Sequence, residues 1–274
     1  MALLKRPDGE LYYEVSGHGP PVLLIQGVGV TGEGWREEIR TLEKNFQTLT
    51  FDNRGIGRSV SCNGPVTIEA MAEDARVLMD AVGWDSAHVV GHSMGGVIAQ
   101  QLALDVPKRV QSLSLLCTFA RGKDAARVTP WVLWMTLRTR LGTRRMRRNA
   151  FLHMLFPPDY LEAADRDKLA VEVAEIIGRD LAYSPPVLIK QVQALSRHDV
   201  SGRLAQLAGI PTLVVSARHD PVALPKYGRQ LAQLIPGATF EEMPSSSHGV
   251  IIQEASEVNR RLEKFFQSAE CVRS

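Results

Sequence analysis

The sequence predicts an α/β fold: a mostly parallel central sheet flanked by helices and interrupted by one helical insertion. Three observations carry this expectation. Short β-branched and apolar runs alternate with segments of helical periodicity in a βαβ rhythm. That rhythm stops near Phe119 and resumes after Leu207. The chain has 274 residues, 45% of them hydrophobic and 23% charged, which is ample for one large core.

In chain order, strands are expected over residues 11–15, 21–26, 47–52, 87–91, 110–117, 212–217 and 239–243, where β-branched, aromatic and aliphatic residues concentrate. Between them, residues 33–44, 67–82, 94–105, 224–234 and 254–266 repeat their apolar positions at helical spacing. The stretch between Phe119 and Leu207 has no convincing buried strand. Its pattern is helical, broken at Pro130, Pro157, Pro158, Pro185 and Pro186. Residues 1–118 and 207–274 are therefore expected to form the core and 119–206 a helical cap. Because the insertion starts after one core strand and ends before the next, the cap should lie over the carboxyl ends of the strands, where open α/β sheets bind ligands.

Composition narrows the partners. A formal net charge of +2 gives no phosphate-tracking surface, so a small molecule is expected rather than nucleic acid. The first ten residues are polar, with Pro7 and Gly9, and lack the roughly 7–15-residue apolar core of a secretory signal. No later segment is apolar for the roughly 18 residues of a membrane span. A cytoplasmic protein without membrane association is expected. Cys62, Cys117 and Cys271 are odd in number and lack CxxC or metal-ligand spacing, so they are expected to remain thiols.

Two motifs compete for the functional site. Gly27-Val28-Gly29-Val30-Thr31-Gly32 matches GxGxxG between a strand and a helix, and Asp52 follows about twenty residues on, as in a dinucleotide-binding fingerprint. Against it, another strand precedes the motif. Asp52 also runs into the glycine-punctuated loop Asn53-Arg54-Gly55-Ile56-Gly57-Arg58-Ser59, which has no evident ribose role.

The second motif, Gly91-His92-Ser93-Met94-Gly95, places GxSxG between an apolar strand and an apolar helix. Glycines on either side relieve crowding in a sharp turn and leave the Ser93 hydroxyl at a helix N-terminus. Such a hydroxyl needs a histidine to take its proton, and the histidine needs an acid to orient it. Of seven histidines, His248 in Ser245-Ser246-Ser247-His248-Gly249 follows the last strand and satisfies the order Ser, acid, His. His18, His88, His92, His153, His198 and His219 are worse placed. Asp220, directly after the strand over 212–217, is the expected acid, with Asp199 in reserve.

Taken together, Ser93, Asp220 and His248 resemble the nucleophile, acid and base of the α/β-hydrolase superfamily. The resemblance covers both flanks of the insertion, residues 11–119 and 208–266. It implies an α/β-hydrolase fold and absorbs the loop from Asp52 to Ser59, so the dinucleotide reading loses its acid. It also implies that Gly27–Gly32 is an oxyanion loop, with backbone N–H donors from Val28 and Met94. Many members carry His-Gly where this sequence has Gln26-Gly27, and glutamine can still hydrogen-bond there but cannot titrate. A serine nucleophile excludes the branches that use aspartate, namely haloalkane dehalogenases and epoxide hydrolases.

What the resemblance implies is a cofactor-independent hydrolase acting on an ester or lactone through an acyl-enzyme. The same triad serves C–C bond hydrolases and perhydrolases, and a receptor-like member with slow hydrolysis is the alternative from another class. In the cap, Trp131, Trp134 and Met135 belong to an apolar block that could line an acyl pocket or pack on the core. The arginines that follow, Arg138, Arg140, Arg144, Arg145, Arg147 and Arg148, could attract acidic substrates or membrane surfaces, but are read here as a solvated helix-stabilising face.

Overall fold

A computed structural model describes residues 2–59, 64–125 and 130–273. Its eight strands form one sheet in the order β1-β2-β4-β3-β5-β6-β7-β8. They are β1 (Ala2–Arg6), β2 (Gly9–Ser16), β3 (Pro21–Ile25), β4 (Gln47–Phe51), β5 (Ala87–His92), β6 (Val110–Leu116), β7 (Thr212–Ala217) and β8 (Thr239–Met243). β1 and β2 join the sheet antiparallel, and every pairing from β4 to β8 is parallel. All seven strands expected from the sequence are present. β1 was not expected: its side chains are mostly exposed or half-buried, so this edge strand has little of the apolar alternation that marks a buried one.

Flanking the sheet are α1 (Arg36–Leu42), α2 (Ile68–Ala81) and α3 (Met94–Asp105) before the insertion. The sequence reads one helix over 33–44; the chain instead makes a 3₁₀ turn over Gly32–Trp35 before α1 begins. α2 starts where Thr67 Oγ1 accepts the Ala70 N–H at 3.1 Å, an N-cap that satisfies one of the orphan donors of the first turn. The central strands β5 and β7 are buried along their whole length, as expected of parallel strands covered on both faces.

Between β6 and β7 the chain runs through α4 (Gly122–Ala125), α5 (Pro130–Arg138), α6 (Arg144–Leu155), α7 (Pro158–Ala163), α8 (Arg166–Ile177) and α9 (Val187–Arg197). The two ends of this insertion meet at a neck, where Arg121 bridges Asp199 and the Gly122 N–H donates to His198 O at 2.9 Å. The insertion has its own small apolar cluster, including Leu152, Phe156, Leu161, Val173 and Ile177, against which Val30 of the loop after β3 and Ile252 pack. After β7 come α10 (Pro225–Leu234), then β8, α11 (Val250–Gln253) and α12 (Ala255–Arg273). No helix of the described residues is long and apolar enough to cross a membrane. Cys117 is a buried thiol, whereas Cys62 lies outside the described residues.

Candidate active site

β5 ends at His92 and α3 begins at Met94, so Ser93 sits alone on the turn between them, with φ 56° and ψ −121°. A non-glycine residue there costs about 1–3 kcal/mol and persists only where its surroundings hold it. They do so closely. The Ser93 N–H donates to Leu116 O at 2.9 Å, and Ser93 O accepts from Thr118 Oγ1 at 2.7 Å and from the Gly96 N–H at 3.0 Å. The turn is tight enough that a Cβ at Gly91 would lie 2.3 Å from Gly95 O, and one at Gly95 would lie 2.0 Å from Ile25 O. Backbone cannot yield to such contacts, which is the physical content of the two glycines in the motif.

β7 and β8 deliver the other two residues to the same edge of the sheet. His248 Nε2 is 3.0 Å from Ser93 Oγ, and His248 Nδ1 is 2.8 Å from Asp220 Oδ2. The carboxylate accepts only, so Nδ1 carries the proton and Nε2 is left as the acceptor for the serine hydroxyl. The second oxygen of Asp220 accepts from the Val222 and Ala223 N–H groups at 2.7 and 2.8 Å. Burial works to raise the Asp220 carboxyl; the imidazole and these two N–H donors outweigh it and hold the group below its usual range. Asp220 is thus a fixed anion. Asp199, the reserve acid, lies instead at the neck of the insertion, bonded to Ser201.

The loop carrying His248 is pinned from several sides. Ser247 Oγ donates to His219 O at 3.0 Å, Gln253 Nε2 to Ser245 O at 2.9 Å, and the Gly249 N–H to Leu155 O of α6 at 2.8 Å. His92 Nε2 donates to His248 O at 2.9 Å. Burial, with the neighbouring His248 second, pushes His92 down to about 3, so it serves as a neutral donor.

The glycine loop after β3 faces Ser93: a Cβ at Gly27 would lie 3.0 Å from the serine Cβ. The Val28 N–H has no acceptor among the described residues. Met94 opens α3, where first-turn N–H groups lack helical acceptors. Asp52 is spoken for: its carboxylate accepts the Gly32 N–H and the Arg58 N–H, each at 2.8 Å, and is fully buried. An acid committed to two loops is not free to hold a ribose.

Residues 20–255 match the family model described as the alpha/beta hydrolase fold. The chain is an α/β hydrolase. It is 32% identical over 243 residues to the putative carbamate hydrolase RutD of Azorhizobium caulinodans, covering 88% of this chain and 89% of that protein. A RutD of the same description from Caulobacter sp. is 32% identical over 268 residues, covering 94% and 96%. Among solved structures, a hydrolase from Pseudomonas aeruginosa PA01 superposes with TM-score 0.81 at 28% identity, covering 96% of this chain and 97% of that one. The enol-lactonase of Burkholderia xenovorans LB400 superposes with TM-score 0.77 at 28% identity, covering 94% and 97%.

The insertion of this hydrolase touches the glycine loop through residues that the sequence did not single out. Gln191 Oε1 of α9 accepts the Gly29 N–H at 3.0 Å, while Arg179 Nε donates to Gly29 O at 3.2 Å. Leu188 packs over the same glycine. Gln191 and Arg179 are 162 and 150 residues from Gly29 in sequence, and no local pattern links them. Only the fully buried glutamine on a helix whose other buried residues, Ala194 and Leu195, are apolar hints at a role.

The residues of the insertion that were expected to line a pocket behave differently. α5 packs on α6, and Trp131 and Trp134 turn largely to solvent, with Met135 half-buried beside them. The structure does not join them to the triad. Among the described residues one cluster of metal-ligand types is present, His92, Cys117 and His248, with ligand atoms within 4.8 Å of one another. Its donors are already engaged: His248 with Asp220 and Ser93, and His92 with a carbonyl. Burial, then the adjacent Asp220 charge, pushes the Cys117 thiol up and keeps it protonated. These three residues pack the floor of the site.

Proposed function

We propose that this hydrolase cleaves a carboxylic ester or lactone through an acyl-enzyme on Ser93. The observation that carries this reading is the unbroken hydrogen-bond relay from Asp220 through His248 to Ser93. His248 Nε2 takes the serine proton as Oγ attacks the carbonyl carbon, and the charge that develops on His248 is stabilised by Asp220. The carbonyl oxygen becomes an alkoxide, for which the Val28 and Met94 N–H groups are the donors in reach of the turn. Collapse expels the alcohol with the proton held on His248. Water then repeats the sequence on the acyl-enzyme, with His248 again as base, and regenerates Ser93. Residues 119–206 form the cap in this reading and exclude bulk water from a site whose serine and histidine are already buried.

A second reading has a specific observation behind it. The relatives named putative carbamate hydrolase span nearly the whole chain. A carbamate presents a carbonyl that the same nucleophile and donors can attack.

The test is turnover on a panel of esters, lactones and carbamates of graded acyl size, with wild type and Ser93→Ala, alongside labelling by an organophosphonate. One label per chain on Ser93 is expected, and loss of turnover on the order of 10⁶ in the variant by analogy with other triads. Turnover that survives Ser93→Ala would overturn the reading. No turnover across the panel, together with tight saturable binding, would favour a receptor-like protein. The ratio of carbamate to ester rates decides between the two substrate classes.

A further inference from the structure

The segment from Trp131 to Met146 wears its large apolar side chains on the outside. Leu133 is 63% exposed, Leu141 55%, Trp134 53%, Leu137 45%, Trp131 43% and Met146 36%. These are six of the thirteen large hydrophobics classed as exposed among the described residues, gathered into sixteen consecutive positions. Single exposed apolar residues need no explanation, but a contiguous patch of them marks an interaction surface. On α5, at about 100° per residue, Leu133, Trp134 and Leu137 share one side of the helix, and Val132, its buried residue, faces nearly the other way. The helix is thus apolar on its outward side as well as its inward one, where a surface helix is usually polar outside.

The charges carried by this stretch of sequence have one sign. No Asp or Glu occurs between Asp124 and Asp159, whereas Arg138, Arg140, Arg144, Arg145, Arg147 and Arg148 all do. Arg144 and Arg148 are paired with Asp180, and Arg145 with Asp167. Arg138, 5.8 Å from the Trp134 ring, and Arg140 have no ion pair among the described residues and stand beside the apolar side chains.

We propose that this face of the insertion docks on anionic lipid bilayers. A protruding helix with leucines and tryptophans outermost and guanidinium groups at their border fits the bilayer interface. The leucines enter the acyl boundary, the indole rings lie at headgroup level, and the arginines reach lipid phosphates. A second copy of the chain fits less well. A two-fold contact would bring the unpaired Arg138 and Arg140 of one copy close to those of the other. The sequence-based expectation of no membrane partner rested on the lack of a spanning run, and interfacial docking needs none. The proposal does not depend on the reaction at Ser93.

The test is cosedimentation of the full chain with phosphatidylcholine vesicles, with and without a third of phosphatidylglycerol, followed by tryptophan emission. Trp35 and Trp84 are buried in the core, so a spectral change reports Trp131 and Trp134. Binding to the anionic vesicles with a blue shift is expected, weak binding to phosphatidylcholine alone, and release at about 0.5 M salt, where charge attraction is screened. The pairs Leu133→Ser with Trp134→Ser, and Arg138→Gln with Arg140→Gln, are each expected to lower bound protein by about tenfold or more without moving the melting temperature. No binding to anionic vesicles at low salt would overturn the proposal, as would binding that both variant pairs retain. So would sedimentation velocity showing a dimer that Leu133→Ser dissociates, which would assign the patch to self-association.

Discussion

Replacing Gln191 by leucine tests whether the helical insertion sets the path of the glycine loop. The side chain is fully buried, and its Oε1 is the acceptor for the Gly29 N–H at 3.0 Å. Leucine fills similar space but leaves that buried N–H without its acceptor, a loss of about 1–3 kcal/mol of stability. The Nε2 contact with Arg54 O, at 3.5 Å, adds little. Gly29 is the residue after Val28, so a freed Gly29 peptide lets the Val28 N–H swing. Complete loss of one oxyanion donor costs about 10²–10³ in kcat, which sets the ceiling. Arg179 still holds Gly29 O at 3.2 Å, so the fall should stay below that ceiling and above about tenfold. The assay is kcat and KM on a soluble substrate from the panel, with the melting temperature of each variant. Gln191→Glu retains an acceptor oxygen and is expected to recover most of kcat. A lowered melting temperature with unchanged kcat in Gln191→Leu would refute the reasoning and leave Gln191 a packing residue.

Two further outcomes are expected. Gly95→Ala should fail to fold or lose several kcal/mol, since its Cβ would meet Ile25 O at 2.0 Å, whereas Gly202→Ala, with open space around it, should gain about 0.4–1 kcal/mol. Thermal melts of both variants check this, and equal effects would sink the steric account of the motif. His92 is held down to about 3 when folded, chiefly by burial, against about 6.5 when unfolded. As pH falls from about 6.5 toward 3, the unfolded chain takes up a proton that the folded chain refuses, so stability drops by up to about 1.4 kcal/mol per pH unit. Urea midpoints at pH 7 and pH 5 should therefore differ less in His92→Gln than in wild type; an unchanged difference would refute the assignment.

The parts of the fold that were legible share a physical cause. β5 and β7 are buried on both faces, and a doubly buried strand must be apolar throughout, so it stands out from its surroundings. β1 is an edge strand with exposed Lys5 and half-buried Arg6, and its pairing with β2 leaves no period-two signal to read. The 3₁₀ turn at Gly32–Trp35 shortens the first helix by a local choice of hydrogen bond that apolar spacing does not record.

The chain's own sequence determined seven of the eight strands, the Ser93 turn and the order of Ser93, Asp220 and His248, because each leaves a mark that is local in sequence: strand periodicity, glycines where backbones approach, and loops at strand ends. Tertiary structure alone decided the rest. It bound Asp52 into two loops, brought Gln191 and Arg179 to Gly29 across 162 and 150 residues, and turned Trp131 and Trp134 outward. An apolar residue carries the same sequence signal whether it faces a pocket, a core or solvent, and only the packing of its neighbours assigns it to one of them.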